Sequence, residues 1–113
     1  MKMIYVCSPL KPCPGNTMFM NIENAKKYCR FVAEAGALPI APHLYCTEFL
    51  KDDIPEEREL GMDMGLDLLG KCKELWVFGD HISDGMAKEI EKAVSWRIPV
   101  KFYTEDCKRR NEK

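Results

Sequence analysis

Four short apolar runs, each separated from the next by a segment with helical periodicity, constrain the fold of this chain more than any other feature. Runs rich in β-branched and aromatic residues predict buried strands, and apolar residues at spacings of three and four predict amphipathic helices. The strands are predicted at 3–8, 37–41, 75–78 and 98–103, and the helices at 22–35, 55–71 and 86–96. This alternation favours a parallel sheet with right-handed crossovers and helices on both faces, an open three-layer α/β sandwich of four to five strands.

Length and charge narrow the class of protein. A chain of 113 residues fits one domain, predicted to span residues 1–104, with a charged tail over 105–113 that we expect to fray. The formal net charge of −1 gives no overall field that would favour nucleic acid or an anionic membrane as a partner. No apolar run approaches the length of a membrane span.

Six cysteines, none in a C-x-x-C pair, argue against a zinc site or a disulfide framework. The first residues carry one positive charge and a short apolar run, which predicts a strand and not a signal peptide. We therefore expect a reduced, cytoplasmic protein with free thiols and no bound metal.

The segment from Ser83 to Glu89 is the strongest candidate for a functional site. It follows the third predicted strand, and ligands of open parallel sheets bind beyond the carboxyl ends of the strands. A helix start presents free N–H groups, so Ser83, Gly85 and Met86 could bind an anion, while Glu89 would point back toward the crevice. The alternatives are that Ser83 or Asp84 only caps the helix, and that Glu89 is a solvated or capping-box residue.

The other two strand ends add candidate residues at the same edge. Ser8 and Lys11 follow the first strand, and the lysine could pair with a phosphate. His43 follows the second strand and could be either structural or functional. Tyr5, inside the first strand, could equally be a core residue.

Three stretches together resemble the nucleoside 2-deoxyribosyltransferase superfamily, and the resemblance covers roughly residues 3–103. It is strongest to the small bacterial and phage members of that superfamily, and it extends to the 2′-deoxynucleoside 5′-monophosphate N-glycosidase branch. The three stretches are 4–9 (I-Y-V-C-S-P), 39–43 (P-I-A-P-H) and the S-x-G-x-x-x-E-I-x-x-A pattern of 83–93. The resemblance implies a flavodoxin- or Rossmann-like sheet. It also implies that Glu89 is the nucleophile attacking the anomeric carbon of the sugar, supported by Tyr5, and that Ser83 holds a 5′-phosphate in a pocket lined by Ser8 and Lys11.

One position departs from the family pattern. Where relatives carry an aspartate that assists departure of the base, this chain has Gly65, flanked by Asp63 and Asp67. A shift of two residues turns a side chain by about 200° around a helix. Either aspartate could serve only if the helix is rotated or bulged. The chain could otherwise be a slow hydrolase, use a relocated acid such as His43, or have lost the chemistry.

The sequence therefore predicts an N-glycosidase or deoxyribosyltransferase-like protein that acts on a (deoxy)nucleoside or its 5′-monophosphate. The alternative is a catalytically inactive module that senses or sequesters a nucleotide. The implied chemistry needs no metal or organic cofactor. The resemblance also implies a homo-oligomer, since relatives close their pockets with a neighbouring subunit.

Overall fold

Four parallel strands form the sheet, as the sequence predicts. The computed structural model describes residues 1–110. The strands, β1 (Met3–Cys7), β2 (Leu38–Ile40), β3 (Glu74–Phe78) and β4 (Val100–Tyr103), lie in the order β2-β1-β3-β4. The chain therefore reverses its direction of travel across the sheet between β1 and β3, which is where open α/β sheets bind their ligands.

Helix α1 (Met18–Glu34) lies on one face, and α2 (Pro55–Leu69) and α3 (Asp84–Ser95) lie on the other. On the α1 face, Tyr28 stacks on Phe78 with ring centroids 4.3 Å apart. On the opposite face, Leu69 of α2 and Ala93 of α3 are fully buried against side chains of the central strands. The predicted three-layer α/β sandwich is confirmed.

Helix α1 begins four residues before its predicted start at residue 22, because its N-cap is Thr17 and not Asn21, the polar residue directly before that predicted start. The Thr17 hydroxyl accepts a hydrogen bond from the Met20 N–H at 3.1 Å. Asn21 is instead buried, and its amide donates to the carbonyl oxygens of Leu10 and Lys11 at 3.2 and 2.8 Å. Asn21 thereby fixes the loop that follows β1.

The buried face of α2 differs from the predicted one. The helical spacing of Leu60, Met64 and Leu68 predicts that these residues face inward, but Leu60 is 48 % exposed, whereas Gly65 and Leu69 are buried. Between β2 and α2 the chain forms two short 3-10 helices, Pro42–Leu44 and Cys46–Glu48. This connection and the buried side of α2 enclose the space above the carboxyl ends of β1 and β3.

The first part of the charged tail, predicted to fray, contacts β4 and the end of β3. Residues 104–110 turn back on β4, where the Arg110 N–H donates to the Phe102 carbonyl at 2.8 Å. The Arg110 guanidinium also donates to the Gly79 carbonyl at 3.1 Å and pairs with Asp80 at 3.2 Å. The last three residues of the predicted tail lie outside the described residues. Within residues 1–110, no helix is both long and apolar enough to cross a membrane.

Candidate functional site

A cavity of about 660 Å³ opens at the carboxyl edge of the sheet, above β1 and β3. Its walls come from the loop after β1, the 3-10 segment after β2, the buried side of α2 and the start of α3. The volume falls in the range of sites that hold small organic ligands. The cavity contains Tyr5 and all seven residues that sequence reasoning placed at the strand ends and the helix start: Ser8, Lys11, His43, Ser83, Gly85, Met86 and Glu89.

The Tyr5 hydroxyl donates a hydrogen bond of 2.6 Å to Oε2 of Glu89 at the inner end of this cavity. Tyr5 is 2 % exposed, and burial together with the Glu89 charge raises its pKa far above the usual range. The hydroxyl therefore keeps its proton and remains a donor. The expectation that Glu89 lies in the crevice beside Tyr5, and not on the solvent face, is confirmed.

Glu89 occupies the sixth position of α3, which begins at Asp84. This is deeper than the third or fourth position expected from the sequence, and it excludes a capping-box role, which requires the third position. Burial raises the pKa of Glu89, and the hydrogen bond from Tyr5 opposes that shift. Because the helix dipole acts mainly within the first turn, Tyr5 is the main group that stabilises the carboxylate.

Ser83 is the N-cap of α3, and its Oγ accepts a hydrogen bond from the Met86 N–H at 3.2 Å. The capping alternative therefore holds. Ser83 also lines the cavity with Gly85 and Met86. A capping hydroxyl uses an oxygen lone pair, so its hydrogen remains available for an anionic ligand.

Ser8 and His43 form a pair between the first and second strand ends. The Ser8 Oγ lies 3.1 Å from Nε2 of His43, and the serine is 8 % exposed. Burial lowers the pKa of His43 to about 4, so its imidazole is neutral near pH 7. Nε2 accepts a hydrogen bond from the Ser8 hydroxyl if the imidazole proton is on Nδ1, and it donates one to Ser8 Oγ if the proton is on Nε2.

The mouth of the cavity is charged. Lys11 forms an ion pair with Asp52 at 3.6 Å, and both side chains are partly exposed. Arg58 and Lys88 also line the cavity. The sequence pattern of α3 predicts that Lys88 faces solvent; it is exposed, and it also borders the cavity. Asp52 and Arg58 were not singled out, because nothing in their local pattern distinguishes them from other surface charges near the start of α2.

The two aspartates proposed as acids do not reach the site. Asp63 and Asp67 are exposed and lie outside the cavity lining, so their proposed catalytic placement is wrong. Helix α2 runs without the rotation or bulge that either would require, and it directs Gly65 at the pocket. A Cβ built on Gly65 would lie 3.1 Å from the Tyr5 hydroxyl and 3.9 Å from Oε2 of Glu89. Residues 1–110 also contain no group of three or more His, Cys, Asp or Glu side chains that could hold a metal ion.

Comparison with solved structures gives a similar fold in a 2-deoxyribosyltransferase from the psychrotolerant bacterium Bacillus psychrosaccharolyticus. The TM-score is 0.66, with 18% sequence identity over 90% of this chain and 72% of that one. At that identity the likeness establishes a shared fold and no more. A search of curated proteins gives no match. A family model described as a domain of unknown function, DUF7768, matches residues 2–103, and the chain therefore belongs to that family.

Proposed function

We propose that this protein cleaves or transfers the N-glycosidic bond of a (deoxy)nucleoside or its 5′-monophosphate, with Glu89 as the nucleophile. The observation that carries the proposal is the 2.6 Å hydrogen bond from Tyr5 to Glu89 inside a cavity of nucleotide size. The shared fold with a 2-deoxyribosyltransferase supports it.

Each polar group has a task in this reaction. The Glu89 carboxylate attacks the anomeric carbon, and the Tyr5 hydroxyl orients it through Oε2. The hydroxyl of Ser83 and the free N–H groups at the start of α3 bind the 5′ end of the sugar. Lys11 can leave Asp52 for a phosphate, because their 3.6 Å contact is partly exposed and weak. Water or a second base then resolves the glycosyl ester, and no metal or organic cofactor takes part.

A second candidate function is a nucleotide-binding module that has lost the chemistry, in which the ligand is sensed or sequestered. The position of Gly65 favours it, because the side of α2 that faces Glu89 presents no carboxyl group. Both candidates use the same anion site, and both are compatible with a homo-oligomer.

Incubation of the purified protein with a panel of deoxynucleosides and their 5′-monophosphates distinguishes the two candidates. We expect chromatography to detect free base from at least one compound, and Glu89→Gln to abolish that release while it retains nucleotide binding measured by calorimetry. Tight nucleotide binding by the wild type with no release of base would instead assign the binding function.

A further inference from the structure

The wall of the cavity that faces the Tyr5–Glu89 pair carries no proton donor on α2. The closest position on that helix is Gly65, whose added Cβ would lie 3.9 Å from Oε2 of Glu89. The adjacent carboxyl groups of Asp63 and Asp67 are exposed and turned away from the cavity. A base that departs as its sugar bonds to Glu89 would therefore lie against the backbone of α2 at Gly65, where no acidic side chain can protonate it.

The acidic groups elsewhere in the cavity lining act as acceptors. Asp52 pairs with Lys11 at 3.6 Å, and Glu57 accepts a hydrogen bond of 2.6 Å from the Lys51 N–H. Asp84 is exposed at the first position of α3, the helix that also carries Glu89. Within residues 1–110, each carboxyl group of this cavity other than Glu89 therefore either has a partner or is exposed to solvent. None is placed to protonate a base that leaves opposite Glu89.

The histidines do not replace the missing acid. His43 is neutral near pH 7, because burial lowers its pKa to about 4, and Nε2 already faces the Ser8 hydroxyl. His81 is exposed on the loop between β3 and α3, the loop that leads into the helix carrying Glu89. The site thus combines a half-buried nucleophile with a wall on α2 that supplies no proton to the departing base.

We propose that the preferred substrates are N-glycosides whose base already carries a positive charge on its ring, such as an N-alkylated purine or a pyridinium nucleotide. This inference rests on the proposed N-glycosidase function and names its substrate class. The geometry behind it is the bare Gly65 surface opposite Glu89, with Asp63 and Asp67 outside the cavity.

The chemistry of departure explains the preference. When the bond between C1′ and the base nitrogen breaks, its electron pair goes to the base, while a Glu89 oxygen bonds to C1′. A cationic base is neutralised by that pair and leaves without a proton. A neutral base would leave as an anion, which is costly unless an acid protonates it. Water then hydrolyses the glycosyl ester and releases the sugar, the Glu89 carboxylate and one proton.

The charges near the nucleophile suit a cationic base. Glu89 is itself the closest charge to the reacting carbon, and neither Gly65 nor the neutral His43 opposes a positive ring. Lys11, the cation of the first loop, is assigned to the phosphate end, for which it leaves its weak contact with Asp52. Arg58, the cation that α2 adds to the lining, is exposed and lies seven residues before Gly65, about 10 Å along the helix. The cavity can therefore hold a zwitterionic nucleotide with its negative end at α3 and its positive base toward Gly65 of α2.

The test compares a matched pair of substrates, 7-methyl-2′-deoxyguanosine 5′-monophosphate and unmodified 2′-deoxyguanosine 5′-monophosphate. They differ by one methyl group that places a positive charge on the base. Release of free base is followed by chromatography, and the spontaneous loss of the methylated base is subtracted with Glu89→Gln protein. We expect kcat/KM to be at least about 100-fold higher for the methylated compound, the size of the contribution that one general acid makes.

The outcomes distinguish failure of the preference for a cationic base from failure of the N-glycosidase function on which it rests. Glu89-dependent release at comparable kcat/KM from both compounds would overturn the preference for a cationic base and leave the N-glycosidase function standing. Glu89-dependent release from other members of the nucleotide panel, but from neither of these two compounds, would also overturn the preference. Absence of such release from every compound would overturn the proposed function itself, and the inference with it.

Discussion

The hydroxyl group of Ser83 both caps α3 and faces the cavity. Its oxygen caps α3 through the Met86 N–H at 3.2 Å, and its hydrogen remains free to bind an anion in the cavity. The structural and the ligand-binding interpretations of this residue are therefore compatible. They differ in what a substitution would change, because loss of a cap affects the helix whether or not a ligand is present.

Ser83→Ala should reduce both the stability and the affinity for 5′-monophosphates. Loss of an N-cap costs about 1 kcal/mol, which lowers the Tm of a domain this size by roughly 4–8 °C. The matched control is Thr17→Ala, which removes the N-cap of α1 away from the cavity. Calorimetric titration should show weaker binding of monophosphates, but not of nucleosides, in Ser83→Ala alone. Equal affinity for monophosphates in the two variants would show that Ser83 caps α3 but does not bind the ligand.

His43 should make the protein sensitive to mild acid. Its pKa falls from 6.5 to about 4 on burial, so the unfolded chain binds the proton more tightly than the folded one. The stability that this residue contributes is fully present above pH 6.5 and is lost as the pH falls toward 4. Denaturant titrations should show a smaller loss over this interval in His43→Gln than in the wild type. His81→Gln, at an exposed histidine, is the control and should follow the wild type; an identical pH profile in all three proteins would contradict the buried, neutral state of His43.

Helix α2 approaches the reactive pair most closely at Gly65. An added Cβ there would lie 3.1 Å from the Tyr5 hydroxyl, whereas one at Gly61 would lie 3.5 Å from Leu50 Cδ1, an ordinary contact. Gly65 thus allows α2 to cover the pair without displacing the Tyr5 hydroxyl from Glu89.

Gly65→Ala and Gly61→Ala form a matched pair on one helix. Alanine favours a helix over glycine by roughly 1 kcal/mol, so Gly61→Ala should raise the Tm. Gly65→Ala should lose that gain to the contact with Tyr5, and its rate of base release should fall by about tenfold or more as the nucleophile is displaced. Equal stability and equal activity in the two variants would show that the pair tolerates the extra methyl group.

The bounds of a helix or strand can be predicted from sequence where one local signal determines them. They are harder to predict where contacts with distant residues determine them. Each strand was found within two or three residues, because a buried strand needs a continuous apolar run. The start of α1 was misplaced because Thr17 and Asn21 are both acceptable caps, and only the packing of the first loop shows that Asn21 has another task. The face of α2 was misjudged because Leu60 is an exposed apolar residue and Gly65 a buried one, which sequence periodicity cannot indicate.

At the scale of the whole molecule, the site is assembled where three strand ends meet. The parallel topology alone indicated that Ser8, His43 and Ser83 would lie at one edge of the sheet. The pairs that complete the cavity, Ser8 with His43 and Lys11 with Asp52, depend on the lengths and paths of the loops. For the same reason Asp52 could not be predicted as a site residue, and only the orientation of α2 shows that the aspartates flanking Gly65 lie outside the cavity.

The central claim is that Glu89 becomes covalently bound to the sugar during turnover. The most direct measurement is mass spectrometry of protein trapped with a 2′-fluoroarabino analogue of the nucleotide that releases base fastest, because the fluorine slows hydrolysis of a glycosyl ester. We predict one sugar phosphate per chain, on the tryptic peptide 89–92, with fragment ions that place it on Glu89 and not on Glu91. Release of base from the analogue with the protein unmodified, or with the adduct on any other residue, would contradict the account.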